Sequence, residues 1–389
     1  MARDSKGTSP PRSIAPGDVV ACFADELGEW TAAQITNLDP SSKTASVLEL
    51  DWSGPEPSSV ADLGPITALV LTHHAWDRKT SHTNYEWVLP RSYKVIGSLP
   101  VIRASPSNSY ATGWDVGMQL ALQRRWDRGD HSGTGWPGKV KLTGSELDSF
   151  LIENRRHDTW ALTVEGVEVL DCARLVAASP GLHQLILSGT LGRLENAGAL
   201  NRLSALRQLG VGNLFGMTKS DCLLPTAVPS LEWLVLRSVP REYGSAMRSI
   251  WGPELKKGCF SAISALRSPE WLAENVDNPL RDWDGREHIS ASDLRKSVAE
   301  YKATRRAVLA AMADPEEVDL KARLTQIGRD YGNAFNELAR RTEFIETVER
   351  EELFAALMSI TSGPDESSME NAKAASEWLA QGLEETRDW

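Results

Sequence analysis

Leu182-His-Gln-Leu-Ile-Leu187, Leu206-Arg-Gln-Leu-Gly-Val211 and Leu231-Glu-Trp-Leu-Val-Leu236 place apolar residues at the same three positions of a short segment. The shared pattern is Leu-x-x-Leu-x-(Leu/Val), and a degenerate earlier copy contains Leu162 and Val164. The closing residues follow one another at intervals of 23, 24 and 25 residues: Val164, Leu187, Val211 and Leu236. This period indicates units that each contribute one short strand and a return segment, so that stacked units bury a continuous leucine core.

Side chains alternate between the two faces of a strand, so the repeat leucines and the residues between them face opposite ways. We expect these leucines to be buried in adjacent parallel strands: Leu162, Leu185, Leu187, Leu209, Leu234 and Leu236. The outward set is then Thr163, Glu165, Gln184, Ile186, Ser188, Gln208, Gly210, Gly212, Trp233, Val235 and Arg237. A few aromatic and arginine side chains dominate binding at most interfaces, which makes Trp233 and Arg237 the best anchors. The candidate protein-binding residues are Glu165, Gln184, Ile186, Gln208, Trp233, Val235 and Arg237.

The segment Thr159–Arg241 resembles the repeats of bacterial leucine-rich-repeat proteins. The resemblance implies a short solenoid with a concave sheet and a protein-binding function. The chain departs from the fuller pattern, because the expected asparagine or cysteine three residues after the closing position is Thr190, Leu214 and Val239. The hydrogen-bonded asparagine ladder is therefore in doubt. Core segments of an ordinary α/β domain are the alternative interpretation.

Short strands are also predicted near the start of the chain, at 17–22, 31–35, 45–51 and 95–102, with turn clusters between them. Gly17-Asp-Val-Val20, followed by Trp30 and the apolar run 32–35, resembles the opening of SH3-like or Tudor-like barrels, including those of toxin-immunity proteins. The resemblance implies an aromatic groove for a peptide or a cation, built from Trp30, Trp52, Tyr85 and Trp87. The alternative is that these aromatic residues belong to the core.

The sequence predicts three structured parts, a β-rich domain, a solenoid and a helical region, with further segments before and between them. We expect a disordered start at 1–12, a β-rich domain at 13–101, an irregular connector at 102–141, the solenoid at 142–252, a helical cap at 253–361 and an acidic tail helix at 362–389. Ser292 is the expected cap of the first long helix, and a second helix is expected after Asp314-Pro315. The fold class is α/β in several parts: a barrel-like β domain, a short leucine-rich-repeat solenoid and a helical C-terminal region.

Composition narrows the class of partner. The net charge is −11, and Asp314–Trp389 holds 18 acidic and 8 basic residues, so nearly all of the excess lies in this last part. A chain without a long basic stripe does not favour nucleic-acid binding. No apolar stretch approaches the length of a membrane span, and the polar first residues do not resemble a signal peptide. The four cysteines lack Cys-x-x-Cys spacing, which favours reduced thiols in a cytoplasmic protein.

Three patterns that resemble catalytic or metal sites have simpler interpretations. Gly133-Thr-Gly-Trp-Pro-Gly-Lys139 fits the first part of a phosphate-binding loop, but Val140 replaces the hydroxyl residue that holds magnesium. His73, His74, Asp77 and His82 lie close in sequence, yet neighbouring histidines of a helix or strand point apart. Gly-x-Ser-x-Gly is absent, and each cysteine lacks a catalytic setting. We expect no enzyme activity, no cofactor and no metal site.

The sequence thus predicts a bacterial cytoplasmic protein that binds another protein through the concave face of a solenoid. An immunity or antitoxin-like partner, which neutralises a second protein by occlusion, fits this description. One alternative is a regulatory scaffold whose β domain binds a peptide. Another is an enzyme whose site carries no recognisable motif; a deep polar pocket with clustered titratable groups would favour it.

Overall fold

The computed structural model describes residues 14–104, 107, 109–133, 135–153, 158–314, 319–361 and 369–389. The chain forms two compact units, Met1–Ser268 and Pro269–Trp389. The first unit contains an antiparallel and a parallel sheet, and the second is helical, so the protein is of mixed α/β class. The expected disordered start at 1–12 lies outside the described residues.

Five antiparallel strands form the first sheet: β1 (Asp18–Ala24), β2 (Glu29–Asp39), β3 (Thr44–Gly54), β6 (His82–Glu86) and β7 (Lys94–Ser98). Their order is β6-β3-β2-β1-β7, so the last strand pairs with the first. Two short strands, β4 (Val70–Leu71) and β5 (Lys79–Thr80), pair with each other. The predicted strands are confirmed, except that the one expected at 95–102 ends at Ser98.

Both faces of the antiparallel sheet are covered. Val20 and Cys22 on β1 join one core cluster, and their neighbours Val19 and Ala21 join another on the opposite face. A strand that is buried on both faces is apolar at consecutive positions rather than at alternate ones. The continuous apolar run of β1 therefore follows from its environment.

Six parallel strands form the second sheet: β8 (Lys139–Thr143), β9 (Ala161–Asp171), β10 (Gln184–Glu195), β11 (Gln208–Phe215), β12 (Trp233–Arg237) and β13 (Phe260–Ser264). Each strand pairs with the strands before and after it in the sequence. Three α-helices lie on the return segments: α2 (Gly144–Glu153), α3 (Cys172–Ala178) and α4 (Arg241–Trp251). The other two return segments contain short 3-10 helices at 197–202 and 219–221, and a third at 252–257 follows α4 in the last return segment.

The register of the parallel sheet aligns the repeat leucines in rows. Leu185 pairs with Leu162 and with Leu209, and Leu209 pairs with Leu234. The six leucines expected in the core are at most 1% exposed, so this prediction is confirmed: Leu162, Leu185, Leu187, Leu209, Leu234 and Leu236. Their stacking buries one continuous apolar cluster between the sheet and the return segments.

The parallel sheet extends beyond the four recognised copies, because β8 precedes them and β13 follows them. β13 was missed because Ser261 stands where the preceding strand has Leu234, although Ile263 keeps the register of Leu236. The connector expected to be irregular contains helix α1 (Met118–Asp127) and the start of β8. Helix α1 forms there because Leu120 is buried against apolar residues of the 69–71 segment.

The second unit contains α5 (Pro269–Asn275), α6 (Ala291–Ala313), α7 (Leu320–Thr342), α8 (Thr347–Ser359) and α9 (Met369–Glu384). Ser290, not Ser292, caps α6, because the Ser290 hydroxyl accepts the Asp293 N–H at 3.1 Å. The expected first turn of the next helix, Pro315–Glu317, lies outside the described residues, and the described helix begins at Leu320 with Asp319 as its cap. Leu379 and Leu383 are fully buried, so α9 belongs to the core of this unit.

Among the described residues, no helix combines the length and the apolar character that crossing a bilayer requires. All four cysteines are buried and carry free thiols. Burial raises the pKa of the Cys172 and Cys259 thiols to about 12, so both stay protonated near neutral pH.

Candidate functional site

The outer face of the parallel sheet presents three rows of side chains that run across the strands. The front row, at the strand starts, is Lys139, Ala161, Gln184, Gln208, Trp233 and Phe260. The middle row is Lys141, Thr163, Ile186, Gly210, Val235 and Ala262. The rear row is Ser188, Gly212, Arg237 and Ser264. Thr143 on β8 and Glu165 on β9 continue this row beyond a register shift between β9 and β10.

The rear row and the nearby end of the middle row are accessible. Glu165 and Arg237 are exposed, and Val235 is half-buried. Lys141 pairs with Glu165 across neighbouring strands at 2.8 Å. This part of the face therefore combines a partly apolar floor with charged side chains along one edge.

The front row borders a recess of about 270 Å³. One wall consists of residues 23–26 at the end of β1 and the turn after it, and another consists of residues 113–116, which precede helix α1. The remaining wall is the sheet, with Lys139, Trp160, His183, Gln184, Ile186, Arg207, Gln208, Glu232 and Trp233. The recess thus lies inside the first compact unit, between its two sheets.

An ion-pair cluster occupies one side of the recess. Asp25 lies 3.2 Å from His183 Nδ1 and 3.4 Å from the Arg207 guanidinium. Burial acts to raise the pKa of Asp25, but the His183 hydrogen bond and the Arg207 charge bring it below its usual range. Asp25 is therefore ionised at neutral pH.

Three other carboxyl groups of the recess have raised pKa values. Burial raises the pKa of Glu26, and the nearby Asp115 raises it further, although Lys139 lies 3.7 Å away. Burial raises the pKa of Glu232, which is 8% exposed, and enclosure by the walls of the recess raises the pKa of Asp115, although Asp115 stays exposed to solvent. The Glu232 carboxylate accepts the Ser92 N–H at 3.1 Å. Asp115 accepts no hydrogen bond and forms no ion pair within the described part of the chain.

The candidate protein-binding residues divide between the recess and the accessible face. Gln184, Ile186, Gln208 and Trp233 line the recess. Glu165, Val235 and Arg237 lie on the middle and rear rows. The strand alternation thus placed all seven on the same face of the sheet. Residues 23–26 and 113–116 lie over the front row of that face.

Trp233 is half-buried, and the close packing around its ring explains why residues 113 and 210 are glycines. A Cβ atom at Gly113 would lie 3.1 Å from the Trp233 Nε1 atom, and one at Gly210 would lie 2.9 Å from Ile186 Cδ1. Glycine at these positions therefore lets the indole pack closely against the 113–116 segment and the sheet. Trp233 is therefore a packed residue in the wall of the recess and not an isolated surface side chain.

The four aromatic residues expected in one groove are not brought together. Tyr85 and Trp87 are buried in one core cluster, whereas Trp30 and Trp52 pack at a second cluster on the other face. The Lys94 ammonium lies 4.9 Å from the centre of the Trp30 ring. Trp30 thus contacts a cation of its own chain, which is the cation–π interaction that the resemblance implies for a ligand.

The histidines near residue 75 also differ from the expectation. His73 and His74 do not point apart, because His74 adopts a positive φ of 53° and the two Nδ1 atoms lie 2.9 Å from each other. His82 instead contacts the Thr36 hydroxyl at 2.7 Å. The glycine-rich loop is followed directly by strand β8, and its Thr134 lies outside the described residues.

One acidic group in the second unit has metal-like spacing: His288, Glu346 and Glu349. Glu349 accepts the Glu346 N–H at 3.1 Å in the first turn of α8 and also pairs with the Arg286 guanidinium. Burial acts to raise the pKa of Glu349, but the Arg286 hydrogen bond and charge and the backbone hydrogen bonds bring it below its ordinary value. The group is therefore a helix cap that an arginine already neutralises.

Most of the charged residues of the recess were not among the candidates predicted from the sequence. His183, Arg207 and Glu232 occupy the same position in three successive repeats, directly after the first leucine of the pattern. Polar residues at an equivalent position of stacked units must lie side by side, and this signal was available. Asp25 and Asp115 come from distant segments, and their approach is visible only in the fold.

Comparisons with protein-family models, with curated proteins and with solved structures found no match to this chain.

Proposed function

We propose that this protein binds another protein on the outer face of its parallel sheet and has no catalytic role. The supporting observation is the alignment of the middle and rear rows on one face, where half-buried Val235 and exposed Arg237 lie on β12 and exposed Glu165 lies on β9. Protein interfaces combine an apolar centre with a polar rim and a few anchoring side chains. Arg237 is the anchor that this surface offers to a partner.

We further propose that the parallel sheet is a short solenoid and that the antiparallel sheet is a small barrel. The front row advances by 22, 23, 24, 25 and 27 residues from one strand to the next, which supports a short solenoid of the leucine-rich-repeat kind. The pairing of β7 with β1 supports a small SH3-like barrel for the antiparallel sheet, because it brings the last strand back beside the first, while β6 and β7 are the edges of the described sheet.

We propose a cytoplasmic location on the basis of the four buried free thiols. An immunity or antitoxin-like role fits a protein that occludes a second protein with one rigid face. The alternative role of scaffold uses the antiparallel domain to hold a peptide, and the Lys94–Trp30 contact marks the aromatic surface concerned.

An enzyme is the second candidate, and the recess is the observation that favours it. Asp25 holds His183 at Nδ1, an arrangement that orients the ring and directs Nε2 away as a general base. If the recess is catalytic, His183→Gln abolishes turnover of a small substrate and leaves its binding intact. Binding without turnover by the unmodified protein supports the non-catalytic proposal.

Affinity capture with matched variants tests the main proposal. The unmodified protein, Arg237→Glu and Arg202→Glu are used as baits in native cell extract, and the retained proteins are quantified by mass spectrometry. Arg202 is an exposed control on a return segment. The proposal requires a protein that the unmodified chain and Arg202→Glu retain equally and that Arg237→Glu loses. Equal retention by all three baits contradicts it.

A further inference from the structure

The recess between the two sheets has more carboxylates than cations available to pair with them. Asp25 pairs with Arg207 and His183, and Glu26 lies 3.7 Å from Lys139. Asp115 and Glu232 then remain without an ion pair within 4 Å among the described residues. A cavity with uncompensated negative charge favours a ligand of positive charge.

The shape and lining of the recess add an observation that is independent of the acidic groups. Its volume of about 270 Å³ leaves room for a guanidinium or ammonium group with part of its carbon chain. Trp114, Trp160 and Trp233 contribute to the walls, and aromatic rings bind organic cations. The wall is also rigid: the Trp114 indole donates to the Glu86 carbonyl at 2.6 Å and its ring stacks on Tyr85.

The protein's own Lys139 shows how a cation is held in this lining. Its ammonium group lies 5.8 Å from the centre of the Trp160 ring and 3.7 Å from a Glu26 carboxylate oxygen. An aromatic ring and a carboxylate therefore already hold one ammonium at the edge of the recess. Asp115, beside Trp114, offers a second carboxylate next to an aromatic ring; the Lys139 charge acts on it, but no cation lies within ion-pair distance of it among the described residues.

We propose that the recess binds an organic cation, a guanidinium or an ammonium group, between Asp115, Glu232 and the tryptophan walls. The cation comes either from an arginine or lysine side chain of a partner or from a free small molecule. In the first case the inference deepens the proposed function, on which it then rests: the partner inserts a basic side chain into the recess while its surface covers the middle and rear rows.

The electrostatics of the recess predict how this binding depends on pH. The titratable groups that line the site are Asp25, Glu26, Tyr93, Asp115, Lys139, His183, Arg207 and Glu232; the Arg91 charge also acts on Glu232, and the Asp115 charge acts on buried Glu49. The raised pKa values of Glu26, Asp115 and Glu232 mean that a bound cation lowers them and releases protons. Affinity for a cation therefore increases as the pH rises above the ordinary carboxyl range and these groups lose their protons.

Calorimetric titration with capped amino acids tests the inference. Nα-acetyl-arginine methylamide and its lysine counterpart are the probes, and the citrulline analogue is the neutral control. Saturable binding of a cationic probe is expected, with the citrulline analogue and the Asp115→Asn variant weaker by about tenfold or more. Glu168→Gln removes an exposed carboxylate outside the recess and is expected to keep the affinity within about twofold. Glu232→Gln, tested in parallel and checked for an unchanged melting temperature, provides a second variant.

Two further comparisons complete the experiment. Agmatine, which lacks the peptide groups, binds more tightly than capped arginine if the natural ligand is a free cation, and less tightly if it is a side chain. Equal binding of the citrulline analogue, no saturable binding, or an unchanged affinity in Asp115→Asn overturns the inference. Loss of capture by Arg237→Glu together with silent probes leaves the proposed function standing and removes the cation site. Binding of the probes together with equal capture by all three baits contradicts the proposed function and leaves the cation site standing.

Discussion

Glu49 on β3 carries the clearest prediction for stability. Its side chain is 2% exposed and accepts hydrogen bonds from the Gly117 N–H at 2.9 Å and the Ser81 hydroxyl at 2.8 Å. Burial raises the pKa of this carboxyl group to about 7, from an ordinary value of 4.5. Gly117 directly follows residues 113–116, so Glu49 fastens one wall of the recess.

The size and sign of the effect follow from this pKa. A difference of about 2.5 between the folded and unfolded states corresponds to about 3 kcal/mol. Below pH 4.5 both states hold the proton, and the contribution to stability is complete. As the pH rises, the unfolded state ionises first, so stability is lost between pH 4.5 and pH 7. Above pH 7 both states are ionised and the loss is complete.

Urea unfolding at pH 4.5 and pH 8 measures this loss. Glu49→Gln stays neutral at both values, so its unfolding free energy is expected to fall by about 3 kcal/mol less than that of the unmodified protein. Glu165→Gln, an exposed control, is expected to follow the unmodified protein. Parallel pH profiles for Glu49→Gln and the unmodified protein would refute the assignment of a raised pKa to Glu49.

Three further predictions concern the sheet and the glycine-rich loop. Leu209→Ala is expected to lower the unfolding free energy by about 2 to 5 kcal/mol in urea titrations, while the exposed control Leu224→Ala changes it by less than about 0.5 kcal/mol; equal effects would show that Leu209 is not core. Trp233→Ala is expected to lower the melting temperature because its ring packs against Gly113, whereas Arg237→Ala leaves it nearly unchanged, and the reverse order contradicts the packing described for Trp233. Titration of ATP and magnesium is expected to produce no binding heat, and saturable binding that Lys139→Ala weakens would contradict this.

The repeat period was sufficient to predict four strands of the parallel sheet and the face on which their side chains lie. Leu185, Leu209 and Leu234 recur at equivalent positions, and equivalent positions of stacked units must pack together. The outermost strand β13 was not predicted, because an edge strand pairs with a single neighbouring strand. Ser261 is therefore tolerated where inner strands have leucine.

Only part of the recess could be predicted from the sequence, for a different physical reason. Asp25, Asp115 and Glu232 are far apart in the chain, and only the packing of the antiparallel sheet beside the strand starts brings them together. The aromatic groove failed to assemble because the antiparallel sheet is covered on both faces, which separates Trp30 from Tyr85. A pattern of alternation identifies the face of a strand but not the element that covers it.

The affinity of the captured partner for three purified chains tests the binding of a protein on the sheet face most directly. Titration of that partner into the unmodified protein, Arg237→Glu and Arg202→Glu yields three dissociation constants. We expect a one-to-one complex whose Kd increases by about tenfold or more in Arg237→Glu, a loss of about 1.4 kcal/mol, and stays within about twofold in Arg202→Glu. Equal Kd values for Arg237→Glu and the unmodified protein would contradict binding on this face.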